Sequence, residues 1–297
     1  VAEHLLLVGH GSRSISGQEE MRRLTELVRE ARPGDDVRLG FLELSEPPAS
    51  KVIAEMLADG IDEIVVVPLM LHAAGHSKSD VPAVVLEARA THPDARIAYA
   101  RPFGVDAALL HLAHKRLADA GALGLPLAVL ARGTSDPDAN AEATKAGRLL
   151  AEMSGTEMVI SGFSGVTWPS VPDSLRQLRQ LGADRIAAFA WYMATGVLLD
   201  RMKEDFARFT TKTGIDVIDA GHFGAGPELA QLVLDRAAEA RAGEVRMNCD
   251  TCSYRAPFPG FETRAGQALG VGHSHLAEEH RHHGHDDHHH EVHKSHH

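Results

Sequence analysis

Short, unbroken apolar runs alternate along this chain with longer stretches in which apolar residues recur every three or four positions. That is the pattern of βαβ units built on a parallel sheet. Leu5–Val8 reads as a buried first strand. Over Gln18–Arg32 the apolar residues Met21, Leu24, Leu27, Val28 and Ala31 form one stripe of a helix, which Pro33 and Gly34 end. Val37–Leu44 is the second strand, and Pro47 suits the first turn of a helix that buries Val52, Ile53, Met56 and Leu57 and stops at Gly60. Ile64–Leu69, apolar up to its closing Pro68, reads as a central third strand. A loop carrying His72, Gly75 and His76 precedes a helix that starts near Asp80 and Pro82. Arg96–Ala100 and Asp106–Asp119 follow as a fourth strand and helix, closed by Gly121.

The unit then repeats. A shift of 122 positions, without a gap, superposes Leu5 on Leu127, Gly11 on Gly133, Glu20 on Glu142, Leu27 on Leu149, Glu30 on Glu152 and Val37 on Val159. It also superposes Gly40 on Gly162, Phe41 on Phe163, Pro47 on Pro169, Gly60 on Gly182, Asp62 on Asp184 and Ile64 on Ile186. Identities at turn glycines and core positions mark an internal duplication. The expected fold is α/β, with two tandem domains over residues 1–122 and 123–245, each a parallel sheet flanked by helices. A segment over 246–297 has no apolar periodicity and is expected to be an irregular stretch followed by a disordered, His-rich tail.

Composition narrows the classes of function. The 297 residues are 44% hydrophobic with a formal net charge of −11, which argues against nucleic acid as a partner because phosphate would need a basic face. No apolar run is long enough to span a bilayer, and the sequence does not open on a basic stretch followed by a long apolar core, so a soluble, cytoplasmic protein is expected. The two cysteines, Cys249 and Cys252, make a poor disulfide framework for a chain of this length and fit a reducing compartment. Of 20 histidines, 12 fall between His273 and His297, so the few at strand ends elsewhere carry more weight.

Three polar side chains stand at the carboxyl ends of successive strands of the first repeat: His10, Glu43 and His76. Ligands bind at that edge of an open parallel sheet, and two imidazoles with a carboxylate there suit a divalent metal and proton transfer. Imidazole holds such an ion with positions left open, which favours handing it on. The shift of 122 replaces these residues by Arg132, Gly165 and Leu198, so the second repeat keeps the scaffold and loses the donors. Its Arg132, Trp168, Trp191 and Tyr192 fall at strand ends. They either wall a shared cleft for a flat, anionic ligand or fill the core. Nucleotide chemistry is not supported, since Gly9-His10-Gly11-Ser12 lacks both the third glycine of a dinucleotide turn and a Walker lysine. Gly-x-Ser-x-Gly is absent, and Ser12 and Ser14 beside His10 are a weak basis for acyl transfer. His4, His92, His111, His114 and His222 read as surface or packing residues.

The runs Val8-Gly9-His10-Gly11-Ser12-Arg13, Phe41-Leu42-Glu43 with Pro47, and Pro68-Leu69-Met70-Leu71 leading to Gly75-His76-Ser77-Lys78-Ser79-Asp80-Val81-Pro82 resemble the ATP-independent tetrapyrrole chelatases. More narrowly, they resemble the long, two-repeat sirohydrochlorin cobaltochelatases of the CbiX type. The resemblance implies insertion of Co²⁺, as substrate metal, into sirohydrochlorin on the way to cobalamin, with no nucleotide. It implies that His10 is general base and metal ligand, that His76 is the second ligand, and that Glu43 assists proton removal. Ser45 or Glu46 would lie near the edge of the macrocycle, and Leu71, His72, Ala73, Ala74 and Gly75 against it. Arg13, Lys78, Arg101 and Arg132 are candidate clamps for the substrate's carboxylates.

Iron or nickel insertion into the same ring is the nearest enzymatic alternative, because side chains of this kind discriminate poorly among such ions. A metal-storage or delivery protein is the non-enzymatic one. Met247-Asn248-Cys249-Asp250-Thr251-Cys252 matches a motif of some long family members that carries an iron–sulfur centre. A redox dithiol or a shared zinc is a comparable reading of two cysteines. The acidic, histidine-rich segment over 273–297 suits a local reserve of metal.

Overall fold

The computed structural model describes residues 2–244. The first half comprises β1 (His4–Gly9), α1 (Ile15–Ala31), β2 (Asp36–Phe41), α2 (Ala49–Ala58), β3 (Glu63–Pro68), a wide π-type turn (His76–Asp80), α3 (Val81–Thr91), β4 (Arg96–Tyr99) and α4 (Ala107–Asp119). The second half comprises β5 (Leu127–Ala131), α5 (Pro137–Ser154), β6 (Val159–Phe163), α6 (Val171–Gln180), β7 (Arg185–Ala190), α7 (Val197–Thr213), β8 (Asp216–Asp219) and α8 (Pro227–Arg241). The strands form two four-stranded parallel sheets, ordered β2-β1-β3-β4 and β6-β5-β7-β8.

Past the first residues His4, Glu63 and Arg185 of β1, β3 and β7, the central strands are apolar because both faces are covered. Leu5 and Leu7 of β1, with Val65 and Val67 of β3, point into a core shared with α1 and α4, whereas Leu6, Val8, Ile64 and Val66 point into a second core under α2 and α3. The second sheet repeats this, Ala187 and Phe189 of β7 facing one core and Ile186, Ala188 and Ala190 the other under α6 and α7. The cores under α1, α4, α5 and α8 are continuous across the two halves.

Two boundaries differ from the sequence reading. Strand β2 stops at Phe41 because Leu44 adopts a left-handed backbone, φ +59°, which ends strand geometry. Helix α2 starts at Ala49 with Pro48 as its N-cap, and Pro47 lies outside it after a cis peptide bond. The second half reproduces this corner, with Val166 at φ +64° and a cis bond before Pro169.

The halves dock on each other as two-fold related copies. Glu20 of α1 accepts the amide hydrogen of Thr195 at 2.7 Å, and its counterpart Glu142 of α5 accepts that of Ala73, the counterpart of Thr195, at 3.4 Å. Arg116 of α4 donates to the Phe223 carbonyl at 2.8 Å, and Arg236 of α8 donates to the Phe103 carbonyl at 2.8 Å. Each contact thus recurs with its partners exchanged, as at the interface of a symmetric dimer fused into one chain. Gly17 permits the closest approach, since a Cβ there would lie 2.6 Å from the Thr195 carbonyl oxygen.

Burial pushes the Glu20 carboxyl up, but hydrogen bonds from His222 and the Thr195 amide outweigh it and hold the group below the usual carboxylate range. A carboxyl lowered in the folded state adds stability above its unfolded pKa, about 4.3, and loses it as pH falls through the folded value. Glu20→Gln is therefore expected to flatten the acid limb of melting temperature against pH, measured between roughly pH 3 and 6. A variant limb as steep as the parent's would contradict this role.

Candidate metal centre

Pairing of β1 with β2 continues past the ends of both strands. The Leu42 amide donates to the Gly9 carbonyl at 3.0 Å and the Glu43 amide to the His10 carbonyl at 3.1 Å, so the backbone ladder holds His10 and Glu43 side by side. Gly11, at φ +100°, lets the chain cross this point: a Cβ there would lie 1.7 Å from the Glu43 carbonyl oxygen. Ser45 closes the corner, its hydroxyl accepting from the Ser12 amide at 2.9 Å and donating to the Ser12 carbonyl at 3.0 Å.

The third side chain arrives on the π-type turn after β3. The His10 and His76 rings meet edge to face at 4.4 Å between centroids, and His10 Nε2 lies 3.4 Å from Glu43 Oε1. One donor atom from each of His10, Glu43 and His76 falls within 4.8 Å of the other two, close enough to share an ion. Among the described residues no second such cluster occurs. All three side chains are partly open to solvent.

The ring orientations favour ligation. His76 Nδ1 is bonded to Asp80 one turn along, and His10 Nδ1 faces the Gly11 carbonyl at 3.2 Å. With Nδ1–H directed to oxygen in each ring, Nε2 is the nitrogen that carries the lone pair. Asp80 is thus a candidate outer partner of His76 that its i,i+4 spacing makes recognisable in the sequence.

Other candidate residues are placed differently. His72 lies with Nδ1 3.3 Å from Glu142 Oε2 and its ring stacked 6.4 Å from that of Trp191, and Ala73 is buried under the second half. Leu71, Ala74 and Gly75 are half-buried and Glu46 is exposed at the corner of the β2 loop. Trp191 is buried against Phe189 and Phe223, so it fills the core, whereas Trp168 is 71% exposed. Tyr192 bonds Ser164 at 2.6 Å, and burial pushes its phenol up to about 12 against the lowering effect of Ser164 and Arg132.

Two of the four proposed cationic clamps are corrected. Lys78 is buried between Asp136 and Asp138, and Arg101 is paired with Glu239 at 2.8 Å, both across the two halves. Long-range partners of this kind leave no local pattern in the sequence. Cys249, Cys252 and the histidine-rich segment lie outside the described residues.

The description of the CbiX family matches residues 4–120 and again 126–240. The chain belongs to the CbiX family. It is 36% identical over 258 residues to a sirohydrochlorin cobaltochelatase of Priestia megaterium, the match covering 84% of each chain. A sirohydrochlorin ferrochelatase of Bacillus subtilis strain 168 is 28% identical, over 84% of this chain and 97% of its own. Among solved structures, the sirohydrochlorin chelatase SirB from Bacillus subtilis subspecies spizizenii, in complex with cobalt, matches with a TM-score of 0.70 and 26% identity. It covers 82% of this chain and 97% of that one. The two family matches fall one on each half, so this is a two-repeat CbiX protein, and the His10, Glu43 and His76 cluster lies in the first repeat.

In this CbiX chain Gly11→Ala is expected to displace the Glu43 carbonyl and open the cluster. Co²⁺ affinity, measured by calorimetric titration, should fall at least about tenfold, as when a support of a ligating histidine is lost. Unchanged affinity would show that the β1–β2 corner does not set the geometry.

Proposed function

We propose that this protein inserts Co²⁺ into sirohydrochlorin without nucleotide hydrolysis, as a step toward cobalamin. The observation that carries the reading is the convergence of His10, Glu43 and His76 at one sheet edge, with an Nε2 presented by each imidazole. Metallation of a free-base ring requires a weakly held ion and an acceptor for the pyrrolic protons in the same place. Two neutral nitrogens supply the first, since they hold a first-row dication without the grip of thiolates. Glu43, beside His10, supplies the second. His10 ligates the ion and takes up a proton once the ion has moved into the ring. Partial exposure of all three side chains leaves room for a flat ring to approach the ion.

Cobalt is favoured over iron by the greater likeness to the Priestia megaterium cobaltochelatase than to the Bacillus subtilis ferrochelatase. The donor set itself does not choose between them, because mixed nitrogen and oxygen ligands follow one affinity series across these ions. Arg13 and Arg132, at the β1 and β5 ends, are the strand-end cations proposed to meet substrate carboxylates.

The test is the visible spectrum of sirohydrochlorin after Co²⁺ is added with and without protein. Catalysed insertion is expected to be lost in His10→Ala and His76→Ala. Glu43→Gln should bind Co²⁺ within a few-fold of the parent yet insert it roughly a hundredfold more slowly, the low end of what a positioned proton acceptor contributes. A parent protein that binds Co²⁺ and leaves the ring unmetallated would overturn the enzymatic reading in favour of metal carriage.

A further inference from the structure

We propose that the second repeat, which has lost its own ligands, positions the metal ligand of the first through a buried ion cluster. Lys78 lies two residues after His76 on the π-type turn. Its Nζ is 2.9 Å from Asp136 Oδ2 and 3.3 Å from Asp138 Oδ2, and each of the three side chains is no more than 4% exposed. Asp136 is at the same time the N-cap of α5, with Oδ1 accepting the Asp138 amide at 3.0 Å. The cluster therefore fastens the turn to a rigid helix end of the other half. From within the first half the same turn is held by Tyr99, whose phenol donates to the Ser77 carbonyl at 2.6 Å. His76 thus sits on a short segment tied down from both sides.

The duplication supplies an internal control that separates this role from ordinary packing. Under the shift of 122, Asp136 and Asp138 correspond to Ser14 and Ser16. On the reciprocal side of the interface Ser14 caps α1 and faces Gly196, so that a Cβ on that glycine would be 3.8 Å from the Ser14 Cβ. That side docks the same elements with serines where the other has buried carboxylates. Burying an ammonium with two carboxylates is costly in desolvation and is not needed to dock the helix. It occurs where the docked segment carries His76. A fixed ligand, in turn, requires support that cannot drift, and outer partners of ligating histidines commonly set affinity.

The inference deepens the proposed chelatase reading by assigning a task to the ligand-free repeat, but its readout is binding of the metal alone. Co²⁺ is titrated calorimetrically into the full chain, and the signal of a His10→Ala/His76→Ala protein is subtracted so that binding by residues 273–297 cancels. Lys78→Met is expected to weaken the remaining site about tenfold. Asp138→Asn, which leaves the N-cap Asp136 in place, is expected to weaken it in the same direction by a smaller factor. Glu20→Gln, which breaks the Thr195 contact on the reciprocal side of the interface, should lower melting temperature without moving Co²⁺ affinity. Lys78→Met and Asp138→Asn proteins that melt earlier yet bind Co²⁺ as the parent does would overturn the proposal, leaving the cluster as a brace between halves. The decision holds whether or not the parent metallates sirohydrochlorin.

Discussion

Two backbone hydrogen bonds beyond the regular ends of β1 and β2 set the corner on which the rest of the candidate site is assembled. By carrying the parallel ladder on to His10 and Glu43, they place an imidazole and a carboxylate side by side at the sheet edge with little dependence on loop packing. Gly11 is the steric condition for that ladder, and the left-handed Leu44 is where the chain leaves it. The second half keeps the arrangement, with the Gly165 amide donating to the Arg132 carbonyl at 3.1 Å and Gly133 in the place of Gly11. The corner therefore belongs to the fold, while the chemistry lies in which side chains are mounted on it.

Mounting different side chains on two copies of one corner divides the labour. The first copy brings His10, Glu43 and His76 together, with an oxygen partner facing Nδ1 of each imidazole. The second copy presents Arg132, with Tyr192 and Ser164 bonded nearby, and among the described residues it has no cluster of metal donors. The two-fold docking through Glu20, Glu142, Arg116 and Arg236 keeps the copies in register, so that residues of one can act on the other.

Much of this was legible in the sequence because it is local or periodic. The alternation of apolar runs with striped helices marked the strands and helices, and the gapless shift of 122 marked two copies. His10 and Glu43 stand out because each follows an apolar run directly, where a strand must end, and His76 because it lies in the loop after the third such run. What was not legible depends on distance. Lys78 and Arg101 read as available cations until the partners Asp136, Asp138 and Glu239, far along the chain, are seen to occupy them. Trp168 and Trp191 both lie beyond strand ends of the second repeat, yet one is exposed and the other packs on Phe189 and Phe223, the latter distant in sequence. Strand β2 ends earlier than the apolar pattern suggests because Leu44 continues that pattern while its backbone turns left-handed.

One Co²⁺ ion is expected between the two imidazoles of the first repeat. A crystal structure of the protein loaded with one equivalent of Co²⁺ decides this. The cobalt should lie within bonding distance of Nε2 of both His10 and His76, with Glu43 beside it. Cobalt bound at another site, with the His10 and His76 rings unchanged and metal-free, would contradict it.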